Sequence, residues 1–414
     1  MFWLSLAWKS IVNRRTTAML TALSVAISVM LLVSVEKIRH DAKENFSSTI
    51  SGTDLIVGAR AGPVNLLLYT VFRLGDPTGG VRWESYQTLK DHPAVAWTVP
   101  LSLGDSHRGY RVLGTSVEYF DLYRYGRDRQ MAFAQGVPFE SPLDVVLGSE
   151  VAAVLGYDVG TSIVVSHGLG SAGITEHDDK PFTVVGVLAP TGTPIDRTLH
   201  VSLEGIEAIH IGWVNGVRIP GAPQNLPIPE PEAITGFLVG MKSRIKTFAF
   251  QRHVNDYGDD VLMAIIPGIT LQSLWATLSG VERALFAMSA VVIIASLLGM
   301  LTVLLAGLNE RRREIALLRA MGTPASHVFK LLCGESMLLG AVGVVMGLIL
   351  HYAAIALVSP WLLNTYGVVM TMGMPSSSTL SLLAAVVVGA TLVGLAPAAL
   401  AYRNALDDGL TMRV

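Results

Sequence analysis

Charged side chains are scarce in this sequence of 414 residues: Asp, Glu, Lys and Arg together make up 15% of it, whereas hydrophobic residues make up 51%. An ordinary soluble domain carries about 25% charged residues. The formal net charge at pH 7 is −2, so the chain has no bulk attraction for nucleic acid, and its sequence contains no zinc-finger or RNA-binding motif. The composition therefore favours a membrane protein and argues against a partner made of nucleic acid.

Cysteine occurs once, at Cys333, which excludes a disulfide within the chain. Catalytic signatures are missing from the sequence too, since it has no G-x-S-x-G, no H-E-x-x-H and no P-loop of the form G-x-x-x-x-G-K-[ST]. The nearest approach to a P-loop, GFLVGMKS at 236–243, has its second glycine too early and a methionine before the lysine. We therefore expect no enzyme activity, no bound cofactor and no ATPase domain on this chain.

What the sequence does contain is four apolar segments, each long enough to cross a bilayer, which takes about 20 residues. They cover residues 17–35, 284–308, 331–358 and 380–402. The first follows a basic stretch as a secretory signal would, but its apolar core exceeds the usual length of about 7–15 residues and no A-x-A-like site follows. We therefore expect it to be retained as an anchor, which gives one span, a long insertion and then three spans.

Lys and Arg are distributed unevenly among the segments that connect these spans. Basic residues precede the first span, follow the fourth and fill the loop 309–330, whereas the loop 359–379 has none. By the positive-inside rule, the amphipathic N-terminal segment 1–16, the loop 309–330 and the tail 403–414 are cytoplasmic. The insertion 36–283 and the loop 359–379 are then expected on the opposite side of the membrane.

The insertion 36–283 alternates short strand-like runs with single helices. Runs such as DLIVGA and GYRVLGTS predict strands, and WESYQTLKDHP predicts a short helix that Pro93 ends. This mixture is typical of an α/β or α+β domain. We therefore predict an α-helical membrane protein with four transmembrane helices (1 + 3) and one large extracytoplasmic α/β (α+β) domain between helices 1 and 2.

Two stretches of the insertion allow a functional interpretation beside a structural one. The apolar segment PVNLLLYTVFRLGDPTGG, at 63–80, fits either the domain core or a surface that holds a lipid-like or protein partner. The stretch SHGLGSAGITEHDDKP, at 166–181, has side chains that suit zinc, although its glycine-rich composition is more typical of a solvated hairpin tip. The weak candidates for metal ligands are His167, His177, Asp178 and Asp179.

The densest charge in the chain lies in LNERRREIALLRAMGT, at 308–323. The apolar residues at helical spacing are Ile315, Leu318 and Met321. Gly322 and Pro324 are typical of a helix end, so the pattern predicts a short amphipathic helix at the cytoplasmic face. Its arginines either set the topology and contact anionic headgroups, or its apolar stripe anchors the helix in a groove of a cytoplasmic protein.

This segment resembles the coupling helix of MacB/FtsX-type ABC transporter permeases. The residues that match its signature are Glu310, Arg311, Arg313, Glu314, Ile315, Arg319, Ala320, Met321 and Gly322. The C-terminal GLAPAALAYRNALDDGL, at 394–410, resembles the family's ending, and VVLGSEVAAVLGYDVGTSIVV, at 145–165, resembles its periplasmic core domain. With the LolC/LolE-like 1 + 3 topology and no fused ATPase, the resemblance covers nearly the whole chain.

What the resemblance implies is a permease of the inner membrane of a Gram-negative bacterium. Such permeases work as homodimers or paired heterodimers with two copies of a separate ABC ATPase, which binds ATP and Mg²⁺. Closure of the ATPases would move the coupling helices and, through the first two spans, the periplasmic domain, so that a periplasmic or membrane-associated substrate is exported or extracted. Further expected partners are membrane lipids and a periplasmic adaptor, lipoprotein or substrate-binding protein. The expected ATPase contacts are Arg313, Glu314, Leu318, Arg319 and Met321.

Other outputs of the same motion stay open at this point. One is an FtsX-like regulator that acts on a periplasmic partner without transport, and another is metal (zinc)-linked envelope homeostasis, which depends on the His/Asp stretch. Within the spans, Glu335 is the outstanding carboxylate, and a structural or coupling role suits it better than proton transport because one carboxylate makes no relay. His351, near the external end of the third span, is expected to be packed or to snorkel.

Overall fold

A computed structural model describes residues 14–126, 128–167, 179–214, 217–218, 227–320, 323–366 and 373–407. Their backbones form two units. The first comprises Met1–Asp41 and Ser279–Val414 and contains the long apolar helices; the second comprises Ala42–Leu278 and contains the sheet.

The described elements are numbered in chain order. The helices are α1 (Arg15–Ser48), α2 (Pro63–Val71), α3 (Trp83–Lys90), α4 (Tyr119–Leu122), α5 (Ser149–Leu155), α6 (Leu203–His210), α7 (Thr247–Asn255), α8 (Pro267–Ala320), α9 (Ala325–Tyr366) and α10 (Ser377–Asp407), with 3-10 turns at Pro194–Arg197 and Arg244–Lys246. The strands are β1 (Leu55–Ala59), β2 (Val81–Arg82), β3 (Val95–His107), β4 (Tyr110–Thr115), β5 (Arg124–Tyr125), β6 (Arg129–Gln130), β7 (Phe133–Gly136), β8 (Asp144–Leu147), β9 (Ser162–Ile163), β10 (Ser166–His167), β11 (Phe182–Leu188), β12 (Thr198–Ser202), β13 (Trp213–Val214), β14 (Val217–Arg218), β15 (Ala233–Ile234), β16 (Gly236–Met241) and β17 (Leu262–Ile265).

Four of the described helices, α1, α8, α9 and α10, are long and apolar enough to cross a membrane. Their candidate spans are Arg15–Asp41, Pro267–Leu308, Ser326–Ser359 and Ser377–Arg403. Each contains one of the four apolar segments of the sequence, so the predicted arrangement of one span, an inserted domain and three further spans is confirmed.

The helix predicted between the second and third spans differs from the expectation. Instead of a separate short helix, residues 309–320 are the last part of α8, which runs without a break from Pro267 to Ala320. The charged side chains of this stretch end the apolar segment but not the helix, because Glu, Arg, Ala and Leu are all good helix formers. Pro324 directly precedes α9, and its carbonyl accepts a hydrogen bond from the backbone N–H of His327 at 2.9 Å.

Small residues on α9 allow it to pack closely against α1. A Cβ atom added to Gly343 would lie 2.7 Å from the Cβ of Val25, and one added to Gly347 would lie 2.7 Å from both the Cβ of Val29 and the carbonyl oxygen of Ala26. Membrane helices lack a hydrophobic driving force between them, so close backbone approach at such small-xxx-small positions is what holds them together. The α1–α9 contact is therefore built on the pair Gly343 and Gly347.

The second unit is organised on one large mixed sheet in the order β17-β1-β16-β3-β4-β12-β8-β11-β7, with β10 beside β3 and β9 beside β11. Most neighbouring strands are antiparallel, while β12 runs parallel to β4 and β11 runs parallel to β8. With helices between the strands, this is the mixed α/β domain that the sequence predicts.

Apolar residues cover both faces of the sheet. Along β1, Ile56 belongs to the cluster that contains α2, whereas its neighbours Leu55 and Val57 belong to the cluster that contains α3 and α7. Such alternation is what a strand buried on both faces requires. In the segment 63–80, Leu66, Leu67 and Tyr69 are buried whereas Leu74 is 53% exposed, so the core interpretation is confirmed for the helical part of this segment.

Candidate functional site

The predicted coupling residues lie at the end of α8. Its helical backbone carries Glu310, Arg311, Arg313, Glu314, Ile315, Leu318 and Arg319, whose side chains fall outside the described part of the structure, while Met321 and Gly322 lie outside the described residues altogether. On this helix Ile315 and Leu318 are three positions apart and share a face. The apolar stripe that the sequence predicts therefore has the helical backbone it needs.

Arg14 connects the start of α1 to the same end of α8. Its Nη1 donates a hydrogen bond to the carbonyl of Gly307 at 3.2 Å, and a Cβ added to Gly307 would lie 3.1 Å from that nitrogen. The contact lies two residues before Asn309, where the charged stretch begins. In the sequence, Arg14 is one of the basic residues that precede the first span, and its contact with α8 cannot be read from spacing because it depends on tertiary packing.

Further polar contacts join α1 to α8 and to α9. The hydroxyls of Ser24 and Ser296 are 3.2 Å apart, between α1 and α8, and the Ser34 hydroxyl lies 2.9 Å from Nδ1 of His351, between α1 and α9. His351 is 3% exposed, so of the two alternatives for this residue the packed one is confirmed. These pairs place hydrogen bonds at helix contacts, where polar groups in a membrane protein are expected to be satisfied.

Glu335, the carboxylate that the sequence places within the third span, lies on α9 and is 3% exposed. Its neighbour Ser336 is fully buried, and a Cβ added to Gly394 of α10 would lie 1.9 Å from the Ser336 hydroxyl. Glu335 therefore belongs to a tightly packed part of α9 near α10. Its structural or coupling role stays a prediction.

The possible zinc ligands fall mostly beyond the described part of the chain. Asp179 is described, His167 is described only as part of β10, and His177 and Asp178 lie outside the described residues. Among the residues that the structure describes, no group of three or more His, Cys, Asp or Glu side chains could hold a metal ion. Metal binding by the 166–181 stretch stays a prediction.

A groove of about 980 Å³ lies in the second unit, between α3, the first half of β3, the turn after β4 and the start of α6. Its aromatic lining residues are Trp83, Tyr86, Trp97 and Phe139. The Trp97 indole lies over Gly240, since a Cβ added there would be 2.1 Å from the ring. This volume is at the upper end of the range for pockets that hold a ligand.

The groove follows an edge of β3 that pairs with no other strand among the described residues. Residues 95–101 of β3 pair with β16 on one side, whereas pairing with β4 on the other side starts only at Leu101. The hydroxyl of Thr98 lies 3.0 Å from that of Tyr86, and burial raises the pKa of the Tyr86 phenol, so Tyr86 is neutral at pH 7. The aromatic floor is thus uncharged.

Exposed carboxylates surround this floor. They are Asp91, Glu118, Glu140 and Glu204, and the lining also contains Lys90. No ion pair joins any of these five side chains to another residue of the described ranges. This groove cannot be predicted from the sequence, because its residues come from distant parts of the chain that only the sheet order brings together.

Comparison with protein families gives two matches that together span most of the chain. Residues 18–222 match the MacB-like periplasmic core domain, and residues 286–406 match the FtsX-like permease C-terminal domain. Among solved structures, the chain is similar to the periplasmic region of MacB from Actinobacillus actinomycetemcomitans, with 12% sequence identity and a TM-score of 0.35 over 55% of this chain and 94% of that one. No curated protein matches the sequence.

Proposed function

The chain belongs to the MacB/FtsX-type ABC transporter permeases, with a MacB-like periplasmic core domain and an FtsX-like C-terminal domain, and on this premise we propose that it couples ATP hydrolysis by a separate ATPase to movement of its periplasmic domain. The output is export or extraction of a periplasmic or membrane-associated substrate. The permease acts in the bacterial inner membrane as one of two paired copies, with both termini in the cytoplasm, and two ATPase subunits bind the ATP and Mg²⁺.

The observation that carries this proposal is the continuity of α8. The helix begins two residues after β17 ends, contains the second span, and ends in the charged stretch 309–320. Its 54 residues give about 80 Å of helix at a rise of 1.5 Å per residue. One unbroken helix therefore connects the segment that resembles a coupling helix to the last strand of the periplasmic sheet.

Contacts between α1 and α8 support a shared movement of the two helices that lead to this domain. Arg14 donates to the Gly307 carbonyl near one end of the span, and Ser24 lies within hydrogen-bonding distance of Ser296 further along. Displacing the end of α8 would strain both contacts unless α1 moved with it. The groove of the periplasmic domain gives such movement a surface on which a partner or substrate can act.

The experiment that tests the proposal compares wild type with Glu314→Ala/Arg319→Ala after purification of the full chain in mild detergent, using mass spectrometry and an ATPase assay. We expect an ABC ATPase to co-purify with wild type and to fall roughly tenfold or more in the double variant, because the helix loses two charged groups that the family resemblance places at the ATPase contact. Arg403→Ala, which removes an exposed charge at the end of α10, is the matched control and should retain the ATPase.

Equal thermal stability of the two variants and wild type would show that the loss is specific. If no nucleotide-binding protein is retained by wild type, or if the double variant retains it fully, the arginines set topology alone and the coupling proposal fails. In that case the chain is a membrane-anchored periplasmic domain without ATP-driven movement.

A further inference from the structure

The residues that line the groove of the periplasmic domain indicate which kind of partner can bind there. Its floor is aromatic, and its rim carries four exposed carboxylates against one lysine, none of them in an ion pair within the described ranges. An occupant that buries apolar side chains on the floor while placing cations at the rim would satisfy both properties. An acidic occupant would place its negative charges against the carboxylates of the rim. A purely polar occupant would leave the aromatic floor without apolar contacts.

The same domain exposes one segment with that composition, residues 242–248, which runs from the end of β16 through the first two residues of α7 and which we name the cationic loop. Ile245 is 90% exposed and Phe248 is 65% exposed. The cations of the loop are Lys242, Arg244 and Lys246, all exposed and none in an ion pair with another described residue. Large apolar side chains that are this exposed to solvent are typical of a surface that binds a partner.

The cationic loop lies directly beside the groove. The backbone N–H of Lys242 donates to the carbonyl of Ala94 at 3.0 Å, and its Nζ donates to the carbonyl of Pro93 at 3.1 Å. Asp91 and Val95, on either side of these two residues, line the groove. The exposure of Ile245 shows that the loop does not fill the groove of its own molecule.

Two complementary surfaces that adjoin each other on one molecule suit a two-fold axis. Rotation about an axis between them brings the cationic loop of each copy to the groove of the other, and the same contact forms twice. Such an interface closes at two copies, whereas complementary patches on opposite faces of a molecule would generate an open chain.

We propose that the periplasmic domains of two copies of this chain bind each other, with the cationic loop of one copy seated in the groove of its partner. Ile245 and Phe248 contact the aromatic floor, and Lys242 and Lys246 face the carboxylates of Glu118 and Glu204 across the interface. The proposal rests on the proposed function only in requiring paired copies, and it adds a contact between the moving domains that ATP-driven movement would make or break.

Cross-linking between differently tagged copies of the full chain tests this interface in membranes. In a Cys333→Ser background, which removes the chain's single native cysteine, one copy carries Ile245→Cys and the other carries Val117→Cys, a groove residue that is 42% exposed. Mild oxidation should give a disulfide-linked species with both tags. The matched control replaces Val117→Cys by Val154→Cys, which is 51% exposed on α5 and outside the groove, and should give none.

Charge reversal provides a second, independent readout. Glu118→Lys/Glu204→Lys in the groove copy should lower the cross-linked fraction roughly fivefold, and Lys242→Glu/Lys246→Glu in the loop copy should restore it to within about twofold of the original level. Misfolding of one variant cannot produce such a restoration.

Three results would overturn the proposal: no mixed cross-link, equal cross-linking at Val154→Cys, or a disulfide within a single copy that carries both Ile245→Cys and Val117→Cys. If any of these occurs while the ATPase still co-purifies with the chain, the domain interface is wrong and the coupling proposal stands. If neither ATPase nor cross-link is found, both fail.

Discussion

At the scale of single residues, His200 is an imidazole removed from water in the interior of the periplasmic domain. It is fully buried on β12, its ring stacks on Tyr119 with centroids 5.5 Å apart, and Phe120 meets it edge-on at 5.9 Å. Burial lowers the pKa of His200 to about 3, and the nearby charge of Arg73 acts in the same direction. The imidazole is therefore neutral in the folded protein at every pH at which the cell works.

We predict that this histidine makes the domain sensitive to acid. Because the pKa is lower in the folded state than in the unfolded state, the unfolded chain takes up the proton first as the pH falls. The stabilisation is complete above pH 6.5 and is lost between pH 6.5 and about 3, by roughly 1.4 kcal/mol per pH unit. Unfolding of the full chain, followed by tryptophan fluorescence from pH 7.5 to 4.5, should give a shallower pH dependence for His200→Leu than for wild type.

Val201, which is fully buried on the same strand, provides the control for that measurement. Val201→Ala removes buried packing from β12 without removing an imidazole, so its pH dependence should remain that of wild type. Superimposable curves for His200→Leu and wild type would show that other groups dominate acid unfolding of this domain.

At the scale of elements, the packing of α9 against α1 depends on two glycines. We predict that Gly343→Ala and Gly347→Ala each destabilise the protein by about 1–3 kcal/mol, as overpacking does, because the new Cβ would lie 2.7 Å from Val25 or from Val29 and the Ala26 carbonyl. The Ala26 contact is with backbone, which cannot move aside cheaply, so Gly347→Ala should be the more severe of the two. Thermal unfolding in detergent measures both.

Gly334 offers a matched control on the same helix. Apart from its chain neighbours and the nearby backbone of α9, no described atom lies within 4 Å of a Cβ added to it, so Gly334→Ala should leave stability unchanged or raise it by up to about 1 kcal/mol through helix propensity. If all three alanine variants behave alike, helix propensity rather than close packing sets the stability of α9.

Much of the element structure could be predicted because each signal is local. Apolar length alone identifies the four spans, and strand patterns such as DLIVGA identify β1 and its neighbours. The helix α7 was not predicted, since only Phe250 and Val254 of its nine residues are buried apolar side chains and the segment lies between strands. The groove could not be predicted, because Trp83 and Phe139 become neighbours only through the order and register of the sheet.

The coupling residues were predicted from a family signature rather than from local patterns alone. The run from Glu310 to Gly322 was identified by its resemblance to a family signature, and its apolar spacing predicted a helix that the backbone of α8 confirms up to Ala320. The spacing could not show that this helix is the last part of α8 rather than a separate helix that begins after the second span. A charged residue ends an apolar segment in a sequence, but helix hydrogen bonds continue wherever the backbone can form them.

At the scale of the whole molecule, the distribution of Lys and Arg predicts which side of the membrane each unit faces. In a Cys333→Ser background, we predict that Val154→Cys, on α5 of the periplasmic domain and outside the groove, reacts with a membrane-impermeant maleimide in spheroplasts. Arg311→Cys, at the end of α8, should react only after the membrane is permeabilised. Labelling of both positions in intact spheroplasts, or of Arg311→Cys alone, would contradict the orientation.

The continuity of α8 also limits how the length of this helix can change in evolution. In an α-helix, one inserted residue rotates all later side chains about the helix axis by about 100°, whereas seven inserted residues return them to within about 20° of their original direction. A single insertion near residue 280 would aim the stripe of Ile315 and Leu318 in a new direction while leaving every side chain intact. Natural variants of this helix should therefore differ in length by about seven or eleven residues, and a helix lengthened by two or three should be inherited only with a compensating deletion further along.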